Sequence, residues 1–455
     1  MAVTNTAKMQ LLLEAPIGSM LFKLAAPNVA AVLLTTASTF ADVWYVGQLG
    51  TASLASLALV YPFLMLMMMM ASGAIGGGVT ASLSRALGRG DNEGAQSGAW
   101  HAFLIACFLG LIFTVTLGLF SRPVYAFLGG TGEALEGAVV YSMIAFGGAF
   151  LIWLFWVLAA IIRGTGDTVT PARAILVSGV AQIGLSGALT LGWGPFPSLG
   201  IAGTATAMLT CQALGAAYMA FYLIKGKGAL TLSPHTFNWR PIIDIMRVGG
   251  LGLINSAGIS ITVIVVTGFI GRYGTEALAG YGLGSRLELM VIPIAFGIGG
   301  AVTVAVGANF GAGNFARARR IAWTGAGTVF VFINLIGLPI AFAPGLWLDL
   351  FTADATAYSY GALYLAIAAP FYGFFAAGQT LYFACQGTGK VLLPVCVGLL
   401  RLALVATVGA LAVYFSWQIN ALFMGVAAGL LTIGLGVSLC MLGRAWWPEK
   451  SAQAS

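Results

Sequence analysis

Long apolar stretches alternate with short polar ones along all 455 residues, and the apolar stretches exceed what a soluble fold needs. A helix crosses the hydrocarbon core of a bilayer with about 20 apolar residues. A membrane β-strand would instead show about ten residues of alternating polarity. These runs do not alternate, so they predict helices. We read twelve spans, at 20–45, 53–82, 97–120, 137–162, 171–192, 199–224, 246–271, 277–308, 319–342, 358–383, 391–414 and 419–443. Several are longer than a bilayer requires, which predicts tilt or extension beyond the lipid. The fold class is an all-α membrane protein of about twelve transmembrane helices.

Composition agrees. The chain is 60% hydrophobic and 7% charged, with a mean hydropathy of +0.97. A soluble domain carries roughly 25% charged residues to face water. The 63 glycines, with many other small residues, suit close packing of membrane helices. The five cysteines all fall in apolar runs and none has metal-ligand or CxxC spacing, so they are expected to be buried thiols. A net charge of +7 invites a nucleic-acid reading, but the distribution of the charge argues for topology instead.

Alternate loops and the two ends carry sixteen of the twenty basic residues, among them Lys8, Lys23, Arg85, Arg89, Arg163, Arg173, Lys225, Lys227, Arg317, Lys390, Arg444 and Lys450. The opposite loops hold only Arg122 and Arg272, while Arg286 and Arg401 fall within spans. The positive-inside rule places both termini in the cytoplasm, which demands an even number of spans. The expected location is a bacterial-type inner membrane, crossed many times. The first twenty residues lack a signal-peptide pattern and read as a short amphipathic lead-in.

Three loop passages recur half a chain apart. Gly47-Gln-Leu-Gly50-Thr is echoed by Gly271-Arg-Tyr-Gly274-Thr at an offset of 224. Gly88-Arg-Gly90 matches Gly311-Ala-Gly313, and Gly164-Thr-Gly166 matches Gly387-Thr-Gly389, both at 223. The same order at nearly constant offset predicts a duplication. Six spans separate equivalent points, so the halves share one orientation and form a parallel repeat. The expected domains are an N-lobe at 1–224, a cytoplasmic linker at 225–245 and a C-lobe at 246–455.

Acidic residues are few, and two lie inside spans: Asp42 in the first and Glu288 in the eighth. An ionisable group within the membrane marks an ion or substrate pathway unless it serves a structural bond. Asn28, Thr35 and Asp42 repeat every seven residues, and Ser38 stands four before Asp42, so they share one helical face. Such a stripe predicts a wet cavity rather than lipid. Pro27 interrupts the backbone ladder of the same helix and marks a bend. Arg286 is two positions from Glu288, so the pair cannot meet on one helix. Glu288 is expected to face the space between the lobes.

Aromatic residues cluster in spans 4 and 10, where Trp153, Trp156, Phe371, Tyr372 and Gln379 are candidates to line a substrate cavity. Aromatic faces attract organic cations, although core packing is the plainer reading for any single one. Met65, Met67, Met68, Met69 and Met70 cover every face of span 2, so most must serve packing or lipid contact. The chain has no P-loop, no HExxH and only two histidines, His101 and His235, neither at membrane depth. These features exclude neither transport nor passage, but they predict no enzyme and no cofactor.

Asp42-Val-Trp-Tyr-Val-Gly-Gln-Leu-Gly50, Arg163-Gly-Thr-Gly-Asp167, Leu199-Gly-Ile-Ala-Gly203, Arg286-Leu-Glu288 and Gln386-Gly-Thr-Gly389 together resemble the multidrug and toxic compound extrusion (MATE) family. The resemblance covers nearly the whole chain. It implies a two-lobed, monomeric antiporter that expels cationic or amphiphilic compounds in exchange for protons or sodium by alternating access. Asp42 then matches the family's coupling aspartate, Pro27 its bending proline, and Glu288 a glutamate of part of the family. The bacterial pattern places Asn and Asp four apart in span 5, where this chain has Gln182 and Ser186. The missing second carboxylate weakens the case for a sodium site at Asp42 and favours protons. A flippase for lipid-linked precursors is the alternative, and its basic cavity finds only Arg286 and Arg401 within spans.

Overall fold

In lipid the backbone must satisfy its own hydrogen bonds, so each long apolar stretch closes into a helix. A computed structural model describes residues 2–351 and 354–443 and shows no strand among them. Arg444 and Lys450, read above as part of the basic C-terminus, lie outside the described residues. A first helix, α1 (Ala2–Glu14), precedes the spans. The N-lobe then comprises α2 (Ile17–Gly47), α3 (Thr51–Gly88), α4 (Asn92–Leu119), α5 (Gly132–Ala145), α6 (Ala149–Gly164), α7 (Val169–Leu191) and α8 (Ile201–Ile224). The C-lobe comprises α9 (Trp239–Ile270), α10 (Thr275–Gly311), α11 (Phe315–Phe342), α12 (Ala355–Thr388), α13 (Leu392–Tyr414) and α14 (Ile419–Leu442).

Eleven of these helices are long and apolar enough to cross a membrane alone. The fourth predicted span is broken: α5 and α6 meet at 51° and together bring the total to twelve. The break falls at Phe146-Gly147-Gly148, where two glycines weaken the helix between the halves. Pro27 does not interrupt α2, which runs as one helix to Gly47. The inter-lobe connection is shorter than expected, because α9 begins at Trp239. Asn238 starts it, its side chain accepting the Arg240 N–H at 2.9 Å. The Asn238 N–H in turn donates to His101 Nε2 at 2.9 Å, which ties the connection to α4.

The repeat is visible in the backbone. Gly50 and Gly274 sit at φ +110° and +113° at the starts of α3 and α10. Gly90 and Gly313 follow at +75° and +76°, and Gly166 and Gly389 at +86° and +79°. Side chains are strained there, so the two halves echo each other most clearly at glycines.

Hydrophobic packing separates the lobes at one end and joins them at the other. One core lies almost wholly within the N-lobe helices, and a second wholly within α9 to α14. A third, containing Leu12, Met20, Leu24, Val302, Ala305 and Leu381, draws on both halves. This shared end is the basic one. There α3 and α10 approach so closely that a Cβ on Gly88 would strike the Ala308 carbonyl, and one on Gly311 the Arg85 carbonyl.

Candidate functional site

The N-lobe helices line a cavity around Asp42. Thr35, Ser38 and Asp42 of α2 face it, together with Tyr61, Met65 and Met68 of α3, Tyr141 of α5 and Trp156 of α6. Gln182 of α7 and Met208 and Gln212 of α8 complete this part of the wall. The helical spacing read from the sequence therefore brings Thr35, Ser38 and Asp42 to one space.

Asp42 is only 8% exposed. Gln182 Nε2 donates to its Oδ2 at 2.8 Å, and Ser186 Oγ donates to its Oδ1 at 2.6 Å. Gln182 and Ser186 are four apart on α7, so one helical face presents both donors. Ser38 Oγ instead donates to the carbonyls of Leu34 and Gly179, closing α2 onto α7. No Lys or Arg lines the cavity. Asp42 is thus a buried carboxylate held by neutral donors.

Other candidates lie elsewhere. Asn28 turns from the N-lobe cavity toward α10, its amide nitrogen beside Gly300 and without a hydrogen-bond partner. Trp153 packs into the N-lobe core against Phe113, whereas its neighbour Trp156 reaches the cavity. Phe371, half-buried, and the buried Tyr372 and Gln379 lie on or beside α12 in the C-lobe, away from the cavity. Of the methionine run, Met65 and Met68 line the cavity and Met67 is fully buried in the core. Sequence reasoning did not single out Gln212, whose Oε1 is buried without a partner in the same cavity. Its signal was present: it is a glutamine in the middle of an apolar span, as Gln182 is.

The second intramembrane carboxylate is differently placed. Glu288 does not face the space between the lobes; it turns into the C-lobe and is 9% exposed. Tyr364 O–H donates to its Oε2 at 2.5 Å, and Arg401 Nη2 lies 3.7 Å from its Oε1. The physical reason is charge: Arg401, 4% exposed, would otherwise be a buried cation with no counterion. Arg286 points the other way, its guanidinium 5.9 Å from the centre of the Phe351 ring.

Arg85 is the strongest residue that sequence reasoning misplaced. Read as a loop cation, it is buried between the lobes. Its Nη2 donates to both carboxylate oxygens of Asp244 at 2.9 and 3.0 Å, and its Nη1 to the Gln386 and Gly387 carbonyls at 3.2 and 3.0 Å. Helix α1 adds a second link. Lys8 Nζ donates to Asp167 at 2.8 Å in the N-lobe, while Asn309 and Arg317 of the C-lobe donate to the carbonyls of Leu12 and Ala15. Burial pushes the Asp167 carboxyl up, but Lys8 and the N–H and hydroxyl of Thr170 outweigh it, so it titrates below the usual carboxylate value.

Comparison with known proteins matches this arrangement. The family model MatE fits the chain twice, over residues 27–186 and 253–412. A protein of Shewanella oneidensis named "FAD transporter" is 27% identical over 80% of this chain and 80% of its own length. The "Probable multidrug resistance protein NorM" of Thermotoga maritima is 26% identical over 90% of this chain and 89% of its own. Among solved structures, a MOP superfamily transporter from Pyrococcus furiosus superposes with a TM-score of 0.88 at 22% identity, covering 97% of this chain and 99% of its own. An outward-facing multidrug resistance MATE family transporter gives 0.87 at 23% identity, over 95% and 97%. The duplicated match covers well over half the sequence, and the chain belongs to the MatE (multidrug and toxic compound extrusion) family of membrane transporters.

Proposed function

We propose that this chain is a multidrug exporter that exchanges cationic or amphiphilic compounds for protons, with Asp42 as the site the two compete for. The observation that carries this reading is a buried carboxylate with no basic neighbour, lining a cavity walled by aromatic and methionine side chains. Aromatic faces and a carboxylate attract an organic cation, and methionines adapt to varied shapes. A proton on Asp42 removes the charge that holds the cation, so each ligand expels the other. The Ser186 hydroxyl can turn from donor to acceptor, and the Gln182 amide can rotate, so the network serves both states.

Protons are favoured over sodium by charge: Asp42 is the single carboxylate among the residues that line the cavity, and its partners Gln182 and Ser186 are neutral. A sodium ion wants several oxygens turned toward it. The shared core, Arg85 and α1 close the basic end, which supports a cavity reached from the opposite side in this state. Alternating access then requires the Arg85 and α1 links to open. The loop charges support cytoplasmic termini, and both lobes within one chain support a monomer. The flippase reading has less support, because no basic side chain reaches the N-lobe cavity to meet a phosphate.

The deciding experiment is ethidium efflux from proteoliposomes under proton and sodium gradients imposed separately. Efflux driven by the proton gradient alone is expected. Efflux driven by sodium alone, or downhill leak without any coupling, would overturn this assignment.

A further inference from the structure

Two buried polar atoms on the wall of the N-lobe cavity find no partner among the described residues. Gln212 of α8 lines the cavity, is 5% exposed, and has its Oε1 enclosed without a hydrogen bond. Trp156 of α6 lines it too, and its Nε1 has none either. The first is an acceptor and the second a donor. A buried acceptor without a partner has lost its water and gained nothing in return. Such a group in an apolar helix points to a donor that arrives from outside the fold.

Packing fixes the face that Gln212 presents. Met208 and Gln212 stand four apart on α8, so one side of the helix turns both toward the cavity. Next to Gln212, the Cys211 carbonyl accepts the Ser178 hydroxyl at 3.1 Å. Three residues on, Gly215 lies so close to α6 that a Cβ there would strike the Phe155 ring. These contacts hold α8 against α6 and α7. The Gln212 amide alone turns, about its soft last torsion, and the turn swings Oε1 toward the cavity.

Asp42 supplies further acceptors. A carboxylate has about four lone-pair positions, and Gln182 and Ser186 take two of them. A primary ammonium brings a positive charge and three N–H donors in a compact head. A quaternary ammonium brings the charge and no donor.

We propose that Gln212 reads the cationic end of the cargo, and that this exporter selects cations bearing N–H groups, protonated amines above all, over fully substituted ammonium ions. The inference rests on the reading of the chain as a cation exporter and names the class of cation. Asp42 attracts both kinds, and the aromatic faces of Tyr61 and Trp156 hold both. Gln212 separates them, because a quaternary head leaves Oε1 buried and unpaired whereas an N–H satisfies it. A site built to hydrogen-bond its ligand rejects an analogue without that group more sharply than an apolar wall rejects a wrong size. The Trp156 N–H, a donor, takes no part in this choice. Ethidium, whose ring nitrogen is quaternary, remains cargo through its two arylamine groups.

The test is fluorescence titration of the purified full chain in dodecyl maltoside at about pH 8, where an alkylammonium keeps its proton. The probes are dansylcadaverine, which ends in a primary ammonium, and its trimethylammonium analogue. They share fluorophore, tail and charge. The primary ammonium is expected to bind about tenfold more tightly. Gln212→Leu should cut that preference to about twofold by weakening the primary ammonium alone. Gln212→Glu should keep it, because an acceptor oxygen remains. Since Gln212→Leu removes an unpaired buried acceptor, it should unfold at no lower temperature than the unmodified protein. Equal affinities in the unmodified protein would overturn the assignment. So would a preference that Gln212→Leu leaves intact, which would mean that a resident water already meets Oε1. In both cases the probes still bind, and the coupled efflux of ethidium stands. Failure of both probes to bind would instead overturn the cation-exporter reading together with this one.

Discussion

The two lobes share a backbone plan and hold their intramembrane carboxylates in opposite ways. Asp42 faces a cavity and receives two neutral hydrogen bonds, from Gln182 and Ser186. Glu288 turns away from any such space toward Tyr364 and Arg401. A carboxylate without a counterion is free to exchange one bound positive species for another. A carboxylate beside a buried arginine balances that charge, and losing it leaves the arginine uncompensated. The comparison teaches that two acids inside membrane spans can meet quite different partners.

The largest expected effect is at the unpaired acid. Asp42→Asn should reduce gradient-driven ethidium efflux to that of empty liposomes while the purified protein keeps its helical circular dichroism. Normal export by this variant would remove the distinction between the lobes. Glu288→Gln tests the other side of the comparison. It should lower stability by about 3 kcal/mol because Arg401 loses its counterion. Thermal unfolding in detergent reads this directly, and Asp42→Asn should show no comparable loss.

Ser186→Ala removes one of the two donors to Asp42 and should slow efflux about tenfold, the worth of a hydrogen bond to a charged group. Arg85→Gln tests whether the basic end is a closed gate. Electron-spin distances between labels at positions 92 and 314 should lengthen, with the open population rising about fivefold. The smallest effect concerns α1. Because the Asp167 carboxyl is held below its usual value, the Lys8 link should persist from neutral pH down through about pH 4 and weaken only as that carboxyl protonates. Hydrogen exchange along α1 that rises already between pH 7 and pH 5 would contradict this.

Chain-local information carried much of this. Span number, helical class and duplication follow from residue type and period, because lipid permits few backbone solutions. The loop glycines Gly50, Gly90 and Gly166 and their partners reveal the repeat because positive φ restricts the residue at each turn. The face shared by Thr35, Ser38 and Asp42 follows from helical geometry alone.

Pairings across helices were not legible in the same way. That Arg401 lies beside Glu288, that Arg85 leaves its loop reading to join α9 and α12, and that Trp156 faces the cavity while Trp153 does not, all depend on how helices rotate and pack. Each helix exposes several polar and aromatic residues, and local sequence gives no distance between them. Rotation is settled only when buried charges must find partners and glycine surfaces such as Gly88 and Gly311 bring two backbones together. Period and composition placed the ionisable groups in the membrane, and packing assigned one to a cavity and the other to an arginine.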